Sequence, residues 1–135
     1  MPTLRLPAKL ESIKAFQDFV RQEIKDRDLK DFADRIELVV EEVLINVVRY
    51  AYDQQEGDIQ LTFNLQDKQQ VLEVEVVDWG KPFNPLTRPS LDPDQDLQSR
   101  PIGGWGIALV RRLADQIDYQ HLAGKNILRL TFQNN

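Results

Sequence analysis

The chain has 135 residues, enough for one domain with a substantial core and too few for two. Its 17 basic and 22 acidic residues leave a net charge of -5 with no basic cluster, which argues against nucleic acid or an anionic membrane as the main partner. The absence of cysteine excludes disulfides, thiol catalysis and thiolate metal sites, and the single histidine, His121, excludes a multi-histidine metal centre. The opening MPTLRLPAKLESI lacks the apolar core of a signal peptide, and no window approaches the length of a membrane span. A soluble, cytoplasmic protein is therefore expected.

Leu4 to Leu6 alternates apolar and polar between Pro2 and Pro7, which predicts a short first strand. Leu10, Ile13, Phe16, Val20 and Ile24 then recur at helical steps, and the polar run Lys25 to Lys30, whose only apolar residue is Leu29, reads as a connection. A second helix is expected from about Asp31 to Ala51, with Ile36, Val39, Val40, Val43 and Val47 forming one apolar stripe. From Asp58 the period changes to two. Ile59, Leu61, Phe63 and Leu65 predict a half-covered strand, and Val71 to Asp78 a second, antiparallel to it across a polar turn. Between Gly80 and Arg100 lies a proline-rich, aperiodic loop of a length that usually marks a functional lid. Helical spacing resumes at Ile107, Leu109, Val110, Leu113 and Ile117, and two strands close the chain, about Ile117 to Leu122 and Ile127 to Phe132. This order predicts an α+β fold: a two-layer α/β sandwich with a mixed, mostly antiparallel sheet and helices on one face.

Three stretches carry chemistry. Glu42 and Asn46 stand four apart on the flank of the second helix's apolar stripe. They read either as a solvated polar flank or as a pair sharing one ligand, the acid accepting a proton and the amide oxygen coordinating a hard cation. In VVDWGKPFNP, Asp78 ends a strand beside Gly80; this is either a plain turn or a carboxylate placed to accept from the amino group of a flat heterocycle, with a permissive glycine next to it. In PIGGWGIALVRRLAD, Gly103, Gly104 and Gly106 precede a helix, which either provides a flexible junction or exposes backbone N–H groups to a polyphosphate. Together, in this order, they point to one nucleotide site.

With these residues in view, the sequence resembles the GHKL superfamily of ATP-binding domains, the gyrase, heat-shock chaperone, histidine kinase and mismatch-repair types. Within it, the chain is similar to the anti-sigma factor serine/threonine protein kinases. ELVVEEVLINVVRYAY is similar to that family's N-box, VVDWGKPFNP to its first glycine box, and GGWGIALVRRLADQIDY with GKNILRL to its second glycine box and closing strands. The resemblance implies a single histidine-kinase-like ATP-binding domain over residues 1–135, with an ATP lid at about 81–103. It implies that Asn46 coordinates Mg²⁺ and that Glu42 is the general base. Asp78 would hold the adenine amino group with Gly80 close to the base, and Gly103, Gly104 and Gly106 would reach the phosphates together with Arg100 of the lid. The chain departs from the family at Tyr50, where a histidine is usual, and at Trp105, a large aromatic within the glycine turn.

The function implied is a kinase using ATP and Mg²⁺ to phosphorylate an anti-anti-sigma partner with a STAS domain, and alternatively sequestering a sigma factor. A homodimer is possible by the same resemblance. The alternative is an ATP-binding regulatory module that switches partner binding without phosphoryl transfer. A histidine kinase catalytic domain is a third reading, and it lacks support because the chain has no phosphoacceptor histidine on a dimerisation helix pair.

Overall fold

The computed structural model describes residues 1–52, 55–66, 71–82 and 106–133. In chain order the elements are β1 (Thr3–Pro7), α1 (Leu10–Asp26), α2 (Ala33–Tyr50), β2 (Asp58–Gln66), β3 (Val71–Asp78), α3 (Gly106–Leu113), β4 (Gln116–Leu122) and β5 (Lys125–Gln133). The strands form one sheet in the order β1-β2-β3-β5-β4. Where a mixed, mostly antiparallel sheet was expected, all four pairings are antiparallel. Two of the pairings, β2 with β3 and β4 with β5, join strands that are consecutive in the chain, and β2 returns beside β1 only after the two helices have reversed the chain.

The period-two pattern determines the layers. Phe63, Val74 and Leu130 lie side by side across β2, β3 and β5, as do Leu61, Val76 and Leu128, and all six are buried. Onto this face pack Ile13, Phe16, Val20 and Ile24 of α1 and the apolar stripe of α2, with Val110 of α3 in the same core. Phe19 meets Phe63 edge to face at 5.8 Å. The opposite face is polar: Arg129 lies 3.2 Å from Glu75, 3.8 Å from Asp118 and 3.9 Å from Glu73. Such half-exposed pairs contribute at most about 1 kcal/mol each, but their hydration lets this face meet water without a cover.

Two local details differ from the periodic reading. The third helix stops at Leu113, and Ile117 belongs to β4. The chain is captured by β5 in between: the N–H of Asp115 donates to the carbonyl of Thr131 at 2.8 Å, and its carboxylate accepts the N–H of Gln133 at 2.7 Å and Arg35 Nη1 at 3.2 Å. The connection after α1 is also more than a polar run. The N–H of Leu29 bonds the carbonyl of Ile24 and that of Asp28 the carbonyl of Lys25, a helix-ending motif that buries Leu29 beside the last apolar residue of α1. Its left-handed position is Asp28, at φ 55°. Glycine holds that conformation without a Cβ, so Asp28→Gly is expected to stabilise the fold by about 0.5–1 kcal/mol. The urea midpoint should rise with an unchanged slope; a lower midpoint would contradict the motif.

Candidate functional site

Along the inner face of the sheet the ladder is apolar until its last rung. There Ile59, Asp78 and Asn126 stand side by side on β2, β3 and β5, with His121 of β4 beyond. Asp78 is 4% exposed and Asn126 3%, and above them Asn46 of α2 is 7% exposed. Asn46, Asp78, Asn126 and Tyr119 line one small cavity whose apolar walls are Val43, Val47, Val76 and Leu128. Its volume of about 20 Å³ accommodates roughly one water, so a heterocycle enters only as these walls move apart.

The polar rung is tightly bonded. Asp78 Oδ1 accepts the N–H of Gly80 at 2.9 Å and Asn126 Nδ2 at 2.8 Å. Asn126 Nδ2 also donates to the carbonyl of Lys81 at 2.8 Å, while its Oδ1 accepts the Tyr119 hydroxyl and lies 3.2 Å from His121 Nδ1. Burial pushes the Asp78 carboxyl above the usual range, and the bonds from Asn126 and Gly80 and the proximity of His121 oppose that shift.

Glu42 lies one helical turn before Asn46 and is half-buried, and its Oε2 is buried with no hydrogen-bond partner among the described residues. Desolvation raises its pKa, Glu41 adds to the rise, and Arg49 opposes it. Arg49 is itself exposed. A partly desolvated carboxyl with an unused oxygen is suited to accepting a proton. No cluster of three or more carboxylate or imidazole ligands exists among the described residues, so a cation caged by protein alone is not supported there. The donor set fits a hard cation that brings most of its oxygen ligands with it, as Mg²⁺ does on phosphates, taking one amide oxygen from α2.

Gly80 has a different reason from the one its sequence context suggests. It does not adopt a positive φ, and what approaches it is the end of α2: a Cβ there would meet the Ala51 carbonyl oxygen at 2.2 Å. The next residue, Lys81, donates its N–H to that same carbonyl at 3.1 Å. Tyr52 completes the junction, its hydroxyl donating to the carbonyl of Asp58 at 2.6 Å and accepting the N–H of Trp79 at 2.7 Å. A larger cavity of about 530 Å³ opens on this side, between Arg5, Tyr52, Trp79 and Lys81. Size alone would favour it, but Arg5 is already engaged, 2.9 Å from Asp58 and stacked 4.1 Å over Trp79. The smaller cavity holds the buried polar groups aimed at one place, and it is the better candidate.

Of the residues singled out from the sequence, Asn46 and Asp78 meet in one cavity, Glu42 flanks it on α2, and Gly80 abuts Asp78. Gly106 is the first residue of α3. Arg100, Gly103, Gly104 and Trp105 lie outside the described residues, as does most of the expected lid. Sequence reasoning missed Asn126, Tyr119 and Tyr52. A signal for Asn126 was present: Asn126, Leu128, Leu130 and Phe132 share one face at period two, and an asparagine in that apolar row is the anomaly.

Residues 6–132 match the model of the histidine kinase-like ATPase domain. The chain belongs to this family. Among curated proteins, histidine kinase-like relatives named serine-protein kinase RsbW from Bacillus mycoides and Bacillus thuringiensis are each 29% identical over 102 residues, 73% of this chain and 62% of theirs. The chain thus spans less than two thirds of the length of these relatives. Among solved structures, the RsbU and RsbW domains of Rv1364c from Mycobacterium tuberculosis superpose with a TM-score of 0.62 at 16% identity, covering 98% of this chain and 32% of that one. The histidine kinase domain of a blue-light activated histidine kinase from Erythrobacter litoralis gives 0.53 at 19% identity, covering 87% and 60%. At these identities the likeness is one of fold. No described helix is long and apolar enough to cross a membrane.

The raised pKa of Glu42 has a consequence for stability. The native state binds this proton more tightly than the unfolded chain does, so its stabilising contribution is present below the ordinary glutamate pKa and is lost as pH rises through the raised value. At neutral pH the ionised group is a net cost. Glu42→Gln is therefore expected to melt at a higher temperature than the native chain at about pH 7 and to lose that advantage near pH 4. Thermal unfolding at both values checks this, and a variant less stable than the native chain at neutral pH would contradict it.

Proposed function

We propose that this chain is an ATP-dependent serine/threonine protein kinase of the anti-sigma type, acting in the cytoplasm on transcription regulation. The observation that carries the reading is Glu42, whose buried oxygen has no partner among the described residues, one turn from a buried asparagine, in a domain related to proteins named serine-protein kinase RsbW. A module that only held ATP has no use for an unsatisfied carboxylate there, since such a group costs stability.

In this reading Asp78 takes the amino group of adenine, with Gly80 at its side. Asn46 holds Mg²⁺, and Gly103, Gly104, Gly106 and Arg100 serve the phosphates. The ion, when bound, neutralises charge on the phosphate oxygens. Glu42 takes the proton of a serine or threonine hydroxyl as that oxygen bonds to the γ-phosphorus. The bond from phosphorus to the β,γ-bridging oxygen breaks, and ADP leaves with the electron pair. A carboxyl held above its usual pKa is a stronger base for that step than an exposed glutamate. The acceptor is an anti-anti-sigma protein with a STAS domain, and a sigma factor is the alternative partner.

Labelled Mg-ATP and a STAS-domain protein test the reading. The native chain should place acid-stable label on a serine or threonine of the partner. Glu42→Gln should abolish transfer while keeping ATP affinity, and Asn46→Ala should weaken Mg-ATP binding at least about tenfold. Transfer that survives Glu42→Gln would overturn the assignment of the base; native protein that binds ATP and transfers nothing would leave a binding module.

A further inference from the structure

The hydrogen bonds of Asn126 go beyond holding two strands together. Its amide offers two donor hydrogens and one acceptor oxygen. The donors go to Asp78 Oδ1 and the Lys81 carbonyl, both at 2.8 Å, and the oxygen faces the Tyr119 hydroxyl and His121 Nδ1. Turning the amide over would set its oxygen against a carboxylate oxygen and a peptide carbonyl and deprive its NH₂ of those two acceptors. One orientation is therefore enforced. Asp78 Oδ1, receiving N–H groups from both Gly80 and Asn126, is filled, and Oδ2 takes no hydrogen bond from the described residues.

Resting on the nucleotide reading above, we infer that Asn126, locked by Tyr119, is a positioning residue that sets nucleobase discrimination by fixing the Asp78 carboxyl with Oδ1 filled and Oδ2 left as one oriented acceptor. An acceptor-only carboxylate welcomes the 6-amino group of adenine and repels the 6-oxo group of hypoxanthine. Once the amide is removed, Oδ1 keeps only one of its two donors and the carboxyl is free to turn. A carboxyl no longer held in one orientation neither accepts from a 6-amino group nor opposes a 6-oxo group at a fixed point, so the two bases become alike to it. A merely structural role for Asn126 predicts something else, an equal loss of both ligands.

Calorimetric Kd values for Mg-ATP and Mg-ITP, measured on the native chain, Tyr119→Phe and Asn126→Leu, decide between these, with circular dichroism to verify folding. The native chain should prefer ATP by at least about tenfold. Asn126→Leu should cut that preference about tenfold, with ITP affinity kept or raised, because the donor that fixes the Asp78 carboxyl is lost. Tyr119→Phe should move the ratio the same way by less, and it decides the matter if Asn126→Leu does not fold. A ratio unchanged in the folded variants, or equal losses for both nucleotides, would overturn this inference alone. A native chain that binds neither nucleotide would overturn the nucleotide reading and this inference with it.

Discussion

The carbonyl of Ala51, at the end of α2, accepts the N–H of Lys81 at 3.1 Å across a gap that only a glycine at position 80 leaves open. The bond itself contributes about 1 kcal/mol, as most such bonds do. Its importance is positional. It fixes the last turn of α2 against the exit of β3, and Arg35 fixes the first turn against the other end of the sheet, 3.2 Å from Asp115 and 3.0 Å from the carbonyl of Gln133. A helix tied at both ends has its rotation set by the apolar stripe between. Asn46 then lies over Asp78, and Glu42 one turn back, at the rim.

The polar rung at the end of the sheet is the other half of the arrangement. Three strands supply apolar rungs that match across the register, and the same register carries Asp78 and Asn126 opposite each other. Burying a carboxylate is costly, and here two N–H donors compensate one of its oxygens. Among the described residues, Glu42 Oε2 is not compensated in this way. A fold under selection for stability alone would exchange that carboxyl for a neutral group, and the proposed general base supplies a reason for its presence.

Much of this was legible in the sequence because two periods dominate it. The period of two in Ile59 to Leu65 and the 3.6-residue stripe from Ile36 to Val47 locate the elements and their buried faces. The pairing of Asn46 with Asp78 followed from motif order. What sequence could not supply was register and capture by distant strands. Ile117 fits a helical stripe and a strand equally well, and the bonds between Asp115 and β5 decide for the strand. Gly80 suggested a turn or a ligand, whereas the group that needs the space is the α2 carbonyl, about 30 residues away in the chain. The anomaly of Asn126 in an apolar row is visible in the sequence, but its partner, Asp78 across the strand, is given only by the register.

The central claim is that a nucleotide base enters between α2 and the ends of β3 and β5, rather than the larger cavity beside Arg5 and Trp79. The most direct measurement is NMR titration of the isotope-labelled chain with Mg-ATP, following the side-chain amides of Asn46 and Asn126 and the indole of Trp79. The account predicts that both asparagine amides and the backbone N–H of Gly80 shift saturably. Shifts confined to the Trp79 indole and the Arg5 guanidinium, with Asn46 and Asn126 unmoved, would contradict it.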